Sequence, residues 1–275
     1  MKASSFNVSS GIDIDIGTAG QPMDSTRHLI TFDPFDKPLI QPNYERLQFI
    51  VHPTEHGSKI PFYVNKAMPG CSSMLPINAA FENNATYLSD CTLENGCHVA
   101  EECTKCGPCC TTPHCARCGG KCLAASWWAR SSEGRAGRDY FFHRFVLKCR
   151  RAPIETTSVP TLRLSQFLHE RRIHHVHYLK IDAQGADRSI VHDVLSNSKV
   201  AIDKMRVECQ LLDRATSMYG YSGDSNTMQP NDCRAIVELV RRHRPALMEQ
   251  VEWSESNCHI AEYNIDFITR AGLQV

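Results

Sequence analysis

The chain has no excess of either charge: 30 Lys and Arg balance 30 Asp and Glu over 275 residues, so the formal net charge is zero. Without a basic surplus there is no bulk electrostatic drive toward nucleic acid or an anionic membrane surface. No run of 18 apolar residues occurs, so no membrane-spanning helix is expected. The first ten residues, MKASSFNVSS, lack the apolar stretch of a signal peptide, and none is expected there. Internal repeats are missing. So is the G-x-G-x-x-G fingerprint, which argues against a nicotinamide cofactor. What remains is 42% hydrophobic, a globular composition, with length for one large domain or two small ones.

Cysteine is abundant but unevenly placed. Of 14 cysteines, nine lie between Cys91 and Cys122, and only Cys71, Cys149, Cys209, Cys233 and Cys258 fall outside. The dense segment reads as a cross-linked or metal-bound module, and the rest as ordinary core. Within it Cys103, Cys106, Cys115 and Cys118 form C-x2-C-x8-C-x2-C, two knuckles able to hold one tetrahedral zinc. The density and the adjacent Cys109-Cys110 pair support disulfides equally well. Either kind of cross-link replaces the hydrophobic core that so polar a segment cannot build. Trp127-Trp128 and Tyr140-Phe141-Phe142 follow, as a lid over a site or as packing of this segment onto the sheet. The sites Asn7 and Asn84 match the glycosylation pattern no more often than chance supplies.

Around that segment the pattern alternates between strand and helix. GIDIDI (11–16), HLITF (28–32), RLQFIV (46–51), HVHYLKID (175–182), KMRVECQ (204–210), LMEQVEW (247–253) and YNIDFI (263–268) read as strands, with IPFYV (60–64) as an edge strand. Residues 161–172, 185–195 and 231–244 have helical spacing, the last capped by Asn231 or Asp232 and ended by Pro245. This order predicts an open, mostly parallel α/β sheet with flanking helices. Residues 78–150 break the period and read as an insertion between 1–77 and 151–275.

In such a sheet a ligand sits beyond the carboxyl ends of the strands, where the strand order reverses. The first strand ends Asp15-Ile-Gly17-Thr18-Ala-Gly20, where glycines allow close backbone approach to a ligand. The second ends at Asp33, which is placed to accept hydrogen bonds from ribose hydroxyls. The later strand runs Lys180-Ile-Asp182-Ala-Gln184-Gly185-Ala-Asp187. Here the sequence resembles the FkbM family of S-adenosylmethionine-dependent methyltransferases, whose signature strand reads K-I-D-x-E-G-x-E. Thr161-Leu162 before the helix, Thr31-Phe32-Asp33-Pro34 in place of the family's A-F-E-P, and the stretch from Gly57 through Ser72-Ser73 carry the same resemblance. It implies a class I, Rossmann-like fold and S-adenosylmethionine as cofactor. It also implies cofactor binding by Asp15, Gly17, Thr18, Gly20, Asp33 and Ser73.

The chain departs from the family in four respects. Gly20 stands one residue before the family's second glycine. Only about ten residues (17–27) link the first two strands, so the first helix is expected to be short or irregular. The signature glutamate is Gln184, which cannot serve as a base. The chain also starts almost at the first strand, where helices usually precede it, so a truncated N-terminus is expected.

Methyl transfer to a hydroxyl needs alignment and a group to take the proton. Asp182 is the first candidate base, with Lys180 two residues earlier on the same strand face to keep it ionised; the bland role for Asp182 is a helix N-cap. Asp187 reads as structural, and Glu208 as lining the acceptor pocket or as a paired acid. His175 and His177 read as ordinary strand positions, and the arginine runs at 150–151, 171–172 and 241–244 as solvated faces. The expected activity is O-methylation of a small-molecule or saccharide hydroxyl, with no nucleic-acid partner. The alternative is an inactive methyltransferase-like domain whose cysteine-rich insertion binds a partner. Compartment and oligomeric state have no signal in the sequence.

Overall fold

A computed structural model describes residues 11–18, 25–65, 72–76, 154–210, 231–257 and 262–273. The cysteine segment 91–122, Trp127-Trp128, Tyr140-Phe141-Phe142 and Gly20 lie outside these residues.

Eleven strands and three helices are described: β1 (Ile12–Ile16), β2 (His28–Phe32), β3 (Leu39–Gln41), β4 (Tyr44–Leu47), β5 (Ile50–Val51), β6 (Lys59–Asn65), β7 (Ile154–Leu162), α1 (Leu164–Glu170), β8 (His175–Ile181), α2 (Asp187–Asn197), β9 (Ala201–Gln210), α3 (Cys233–His243), β10 (Gln250–Asn257) and β11 (Glu262–Ile268). Eight of the strands form one sheet in the order β10-β11-β9-β8-β1-β2-β4-β3, and β5-β7-β6 form a second. The centre of the large sheet is parallel, from β4 through β2, β1 and β8 to β9. The two ends are not. β11 runs antiparallel between β9 and β10, and β3 folds back on β4. The expectation of an alternating parallel sheet therefore holds at the centre and is corrected at both edges.

The large sheet is two-faced. In β1, Ile12, Ile14 and Ile16 alternate with Asp13 and Asp15, and the register carries the alternation sideways. Ile14 and Ile16 pair with Leu179 and Ile181, and these with Met205 and Val207. That face joins one core with Leu164 and Phe167 of α1, Ile190 and Val194 of α2, and Ile236 and Val240 of α3. Phe32 meets Phe167 edge-on, with ring centroids 5.3 Å apart. Asp13 and Asp15 instead share the opposite face with Tyr178, Lys180, Lys204, Arg206 and Asp266. Parallel sheets are ordinarily apolar on both faces, so this one departs from the rule.

Several boundaries move for identifiable reasons. The run 46–51 divides, because β4 belongs to the large sheet and β5 to the small one. β7 was not expected; Pro160 and four exposed polar positions in 155–158 conceal it. α1 is shorter than its apolar spacing and has no side-chain cap of its own. Its first turn is satisfied from α2, where the buried Asp193 carboxylate accepts from the Ser165 backbone at 3.1 Å and the Ser165 hydroxyl at 2.7 Å, and also pairs with Arg163. For α3, Asp232 is the cap, accepting from the Ala235 N–H at 3.3 Å, and Pro245 opens a 3-10 turn beyond the helix.

One cysteine expectation is corrected. Cys209, near the end of β9, and Cys233, the first residue of α3, are not plain core thiols but form a disulfide, with Cα atoms 5.0 Å apart and a sequence separation of 24. A bridge closing a loop of that length is worth about 3 kcal/mol. Intact-mass measurement with and without reductant should register this bridge. Replacing Cys233 by Ser should lower unfolding stability by about that amount in a denaturant titration.

Candidate functional site

β1 stands where the chain reverses its direction of growth. From it the sheet extends outward through β2 and β4 on one side and through β8 and β9 on the other. A crevice is expected at the carboxyl ends there. A cavity of about 240 Å³ occupies it. Its walls come from the tips of β1 (Ile16, Gly17, Thr18), β2 (Phe32, Asp33) and β8 (Lys180, Asp182, Gln184), with Phe35 beyond β2 and Phe62 from the small sheet closing one side.

Gly17 makes the join between β1 and β8 possible. Its φ is +82°, and a Cβ there would lie 1.7 Å from the Asp182 carbonyl oxygen. The two strand ends are tied at this point by the Asp182 N–H donating to the Ile16 carbonyl at 3.1 Å. On the β2 side the buried Asp33 carboxylate accepts from the Thr18 hydroxyl at 2.7 Å and from the Phe35 N–H at 2.8 Å. It is thus held rigidly at the cavity wall.

On the β8 side Lys180 Nζ lies 3.2 Å from Asp15 and 3.6 Å from Asp182. Burial works against the ammonium charge, but the two carboxylates outweigh it and raise the lysine pKa. Lys180 is therefore a fixed cation. The Gln184 amide donates to Asp182 Oδ1 at 2.9 Å and to Glu208 Oε2 at 3.0 Å, bringing the ends of β8 and β9 together. Gln184 itself adopts a left-handed conformation, φ 49°, and its carbonyl accepts from the Ser73 hydroxyl at 2.7 Å.

Behind this loop sits Asp187, wholly buried. Its carboxylate accepts from the Ala183 N–H at 2.7 Å, the Gly185 N–H at 3.1 Å and the Asn231 amide at 2.9 Å. Burial pushes its pKa up to about 7, although the backbone donors pull the other way.

The structure thus brings Gly17, Thr18, Asp33, Lys180 and Asp182 to one cavity. Asp15 lies one contact behind it, reached through Lys180. Ser72 rather than Ser73 lines the wall; Ser73 instead fastens the Gln184 loop and accepts from the Leu75 N–H. Asp182 is not a helix cap, since α2 begins after Ala186. His175 and His177 both hydrogen-bond Asp203 Oδ2 at the opposite end of β8. Among the described residues no group of three or more His, Cys, Asp or Glu is arranged to hold a metal, and no helix is long and apolar enough to cross a membrane. Sequence reasoning missed the aromatic wall of Phe35, Phe49 and Phe62. Phe35, two residues after Asp33, could have been found from that spacing; Phe49 and Phe62 depend on the second sheet.

The crevice at the strand-order reversal thus has a polar rim from β2 and β8 and an aromatic wall from Phe35, Phe49 and Phe62. The Methyltransferase FkbM domain family matches residues 22–244, and the chain belongs to that family of methyltransferases. No curated protein and no solved structure matches it.

Two outcomes follow from this geometry. Gly17→Ala must separate β1 from β8 or break the Ile16–Asp182 bond, and should cost about 3 kcal/mol or more in unfolding stability, read by denaturant titration. For Asp187 the folded pKa is raised above the unfolded value of 3.8, so its favourable contribution is complete below about pH 4 and is lost as pH climbs toward about 7. Thermal melts of wild type and Asp187→Asn should accordingly show the wild type losing stability relative to the variant across that window; parallel curves would contradict this assignment.

Proposed function

We propose that the domain is an S-adenosylmethionine-dependent methyltransferase of class I, Rossmann-like architecture that methylates a hydroxyl oxygen of a small-molecule or saccharide acceptor. The observation that carries this reading is that Asp33 and Asp182, from strands on either side of β1, face one cavity at the strand-order reversal. Family membership supports methyl transfer as the chemistry. The strand order, with one antiparallel strand second from the edge, supports the architecture.

The residues present suit the cofactor. Asp33, fixed by Thr18 and the Phe35 N–H, offers a carboxylate of the kind that binds ribose hydroxyls. Phe35, Phe49 and Phe62 offer an apolar wall for an adenine ring. At about 240 Å³ the described cavity suits the nucleoside part; Gly20, which the resemblance also assigns to the cofactor, lies outside the described residues. When bound, S-adenosylmethionine supplies a methyl group activated by a sulfonium. The protein's own work is to orient the acceptor and take its proton. Asp182, partly exposed and beside the cation Lys180, is the group placed to accept that proton. Lys180, tied to Asp15, holds Asp182 in position. Gln184 replaces the family's signature glutamate, and Glu208 from β9 supplies a second carboxylate at the same spot.

For the cysteine segment 91–122, with Cys103, Cys106, Cys115 and Cys118 as the zinc alternative, the Cys209–Cys233 bridge favours disulfides. A compartment that keeps one pair oxidised keeps others oxidised too. Titration calorimetry with S-adenosylmethionine tests the functional reading. Micromolar binding is expected, and Asp33→Ala should weaken it by about 2 kcal/mol, the scale of a lost charged hydrogen bond. No binding at millimolar cofactor would leave only the inactive reading.

A further inference from the structure

Lys180 and Asp182 both line the cavity, and they face each other without closing. The Lys180 ammonium lies 3.2 Å from Asp15 but 3.6 Å from Asp182 Oδ2, beyond hydrogen-bond reach. An ammonium has three N–H donors. Among the described residues only these two carboxylates stand within ion-pair distance of it, so a donor remains. Asp182 is divided in the same way. Its Oδ1 accepts from the Gln184 amide at 2.9 Å, which leaves Oδ2, the oxygen nearest Lys180, to take a further hydrogen. The two side chains are 23% and 26% exposed, so a ligand in the cavity can reach both. The gap is held from either side: the wholly buried Asp15 anchors the ammonium, and Gln184 anchors the carboxylate. One oxygen can sit about 2.8 Å from each of two atoms 3.6 Å apart. Such an oxygen accepts from Lys180 and donates to Asp182. A hydroxyl does both; an ammonium, having no lone pair, cannot accept and is repelled by the like charge. The two neighbouring carboxylates raise the lysine pKa, so Lys180 is the donor of the pair and Asp182 the proton acceptor.

We propose that Lys180 is a catalytic residue that donates a hydrogen bond to the acceptor's hydroxyl oxygen while Asp182 Oδ2 takes its proton, and that the gap between them selects hydroxyl over ammonium acceptors. The inference rests on the methyltransferase reading above and adds to it a second role for Lys180. In the transfer the acceptor oxygen bonds to the methyl carbon, the carbon–sulfur bond breaks with its electron pair left on sulfur, and the hydroxyl proton passes to Asp182. The oxygen gathers negative charge as that proton leaves. A fixed ammonium beside it stabilises this charge and stays protonated throughout.

A crystal structure of the complex with S-adenosylhomocysteine, soaked in glycerol, tests the geometry without a known acceptor. An oxygen of water or glycerol is expected within about 3.2 Å of both Lys180 Nζ and Asp182 Oδ2. Direct closure of Lys180 onto Asp182, with no oxygen between them, would overturn the proposal. Lys180→Met should lose that oxygen, yet bind S-adenosylhomocysteine within about twofold of wild type by calorimetry, because the donor serves the acceptor and not the cofactor. Methyl transfer is then measured to a panel of p-nitrophenyl glycosides and to matched primary amines. Hydroxyls should be methylated and amines not, and Lys180→Met should lower kcat about 100-fold or more. Amines methylated as readily as hydroxyls, or a kcat unmoved by Lys180→Met, would count against the proposal decisively. If no panel member is methylated, or Lys180→Met fails to fold, the wild-type crystal decides. Failure of wild type to bind S-adenosylhomocysteine at all would overturn the methyltransferase reading itself.

Discussion

The closure of β1 against β8 at their carboxyl ends is the constraint from which the site follows. Gly17 turns back on the Asp182 carbonyl at a distance no side chain allows. The Asp182 N–H then reaches Ile16, and Lys180 reaches across to Asp15. These contacts place a cation and an acid on one rim of the crevice, while β2 places Asp33 on the other. The interaction is electrostatic only in part. The backbone approach decides which charges can meet, and the charges then hold the loop that carries Gln184.

A second level of organisation comes from groups outside the cavity. Asp187 organises the 183–185 turn from below, and Asn231 ties that turn to the start of α3 and to the Glu208 carbonyl. The Cys209–Cys233 bridge fixes the same junction covalently. The β8 rim of the crevice is therefore supported by a strand end, a helix start and a loop that are cross-linked to one another. A rigid supporting shell of this kind is what precise positioning of reacting groups demands.

Much of this was legible in the residue string, where local signals and global fold agree. HLITF is β2 residue for residue, and the β-branched run of β1 stops at Gly17 because the backbone must turn there. Of the two cap candidates for α3, Asn231 and Asp232, it is Asp232 that accepts from the helix. The signals failed where the cause was tertiary. α1 begins where it does because Asp193, on another helix, satisfies its first turn. β7 forms despite Pro160 because β6 and β5 pair with it. Nothing in the spacing of Cys209 and Cys233 marks them as partners; a strand end and a helix start bring them together. Similarly, Gln184 reads in sequence as the loss of an acid, and only its hydrogen bonds to two neighbouring carboxylates show what the amide contributes.

The two-faced sheet has a consequence for how the strands find their alignment. Where a parallel strand is apolar throughout, sliding it by one position exchanges one greasy side chain for another and is weakly opposed. Here a single-step slip of β1 would turn Asp13 and Asp15 in among Leu179, Ile190 and Phe32, and expel its isoleucines. The alternation thus acts as a proofreading device during folding, rejecting mispaired arrangements by the cost of stranding ionised groups in oil.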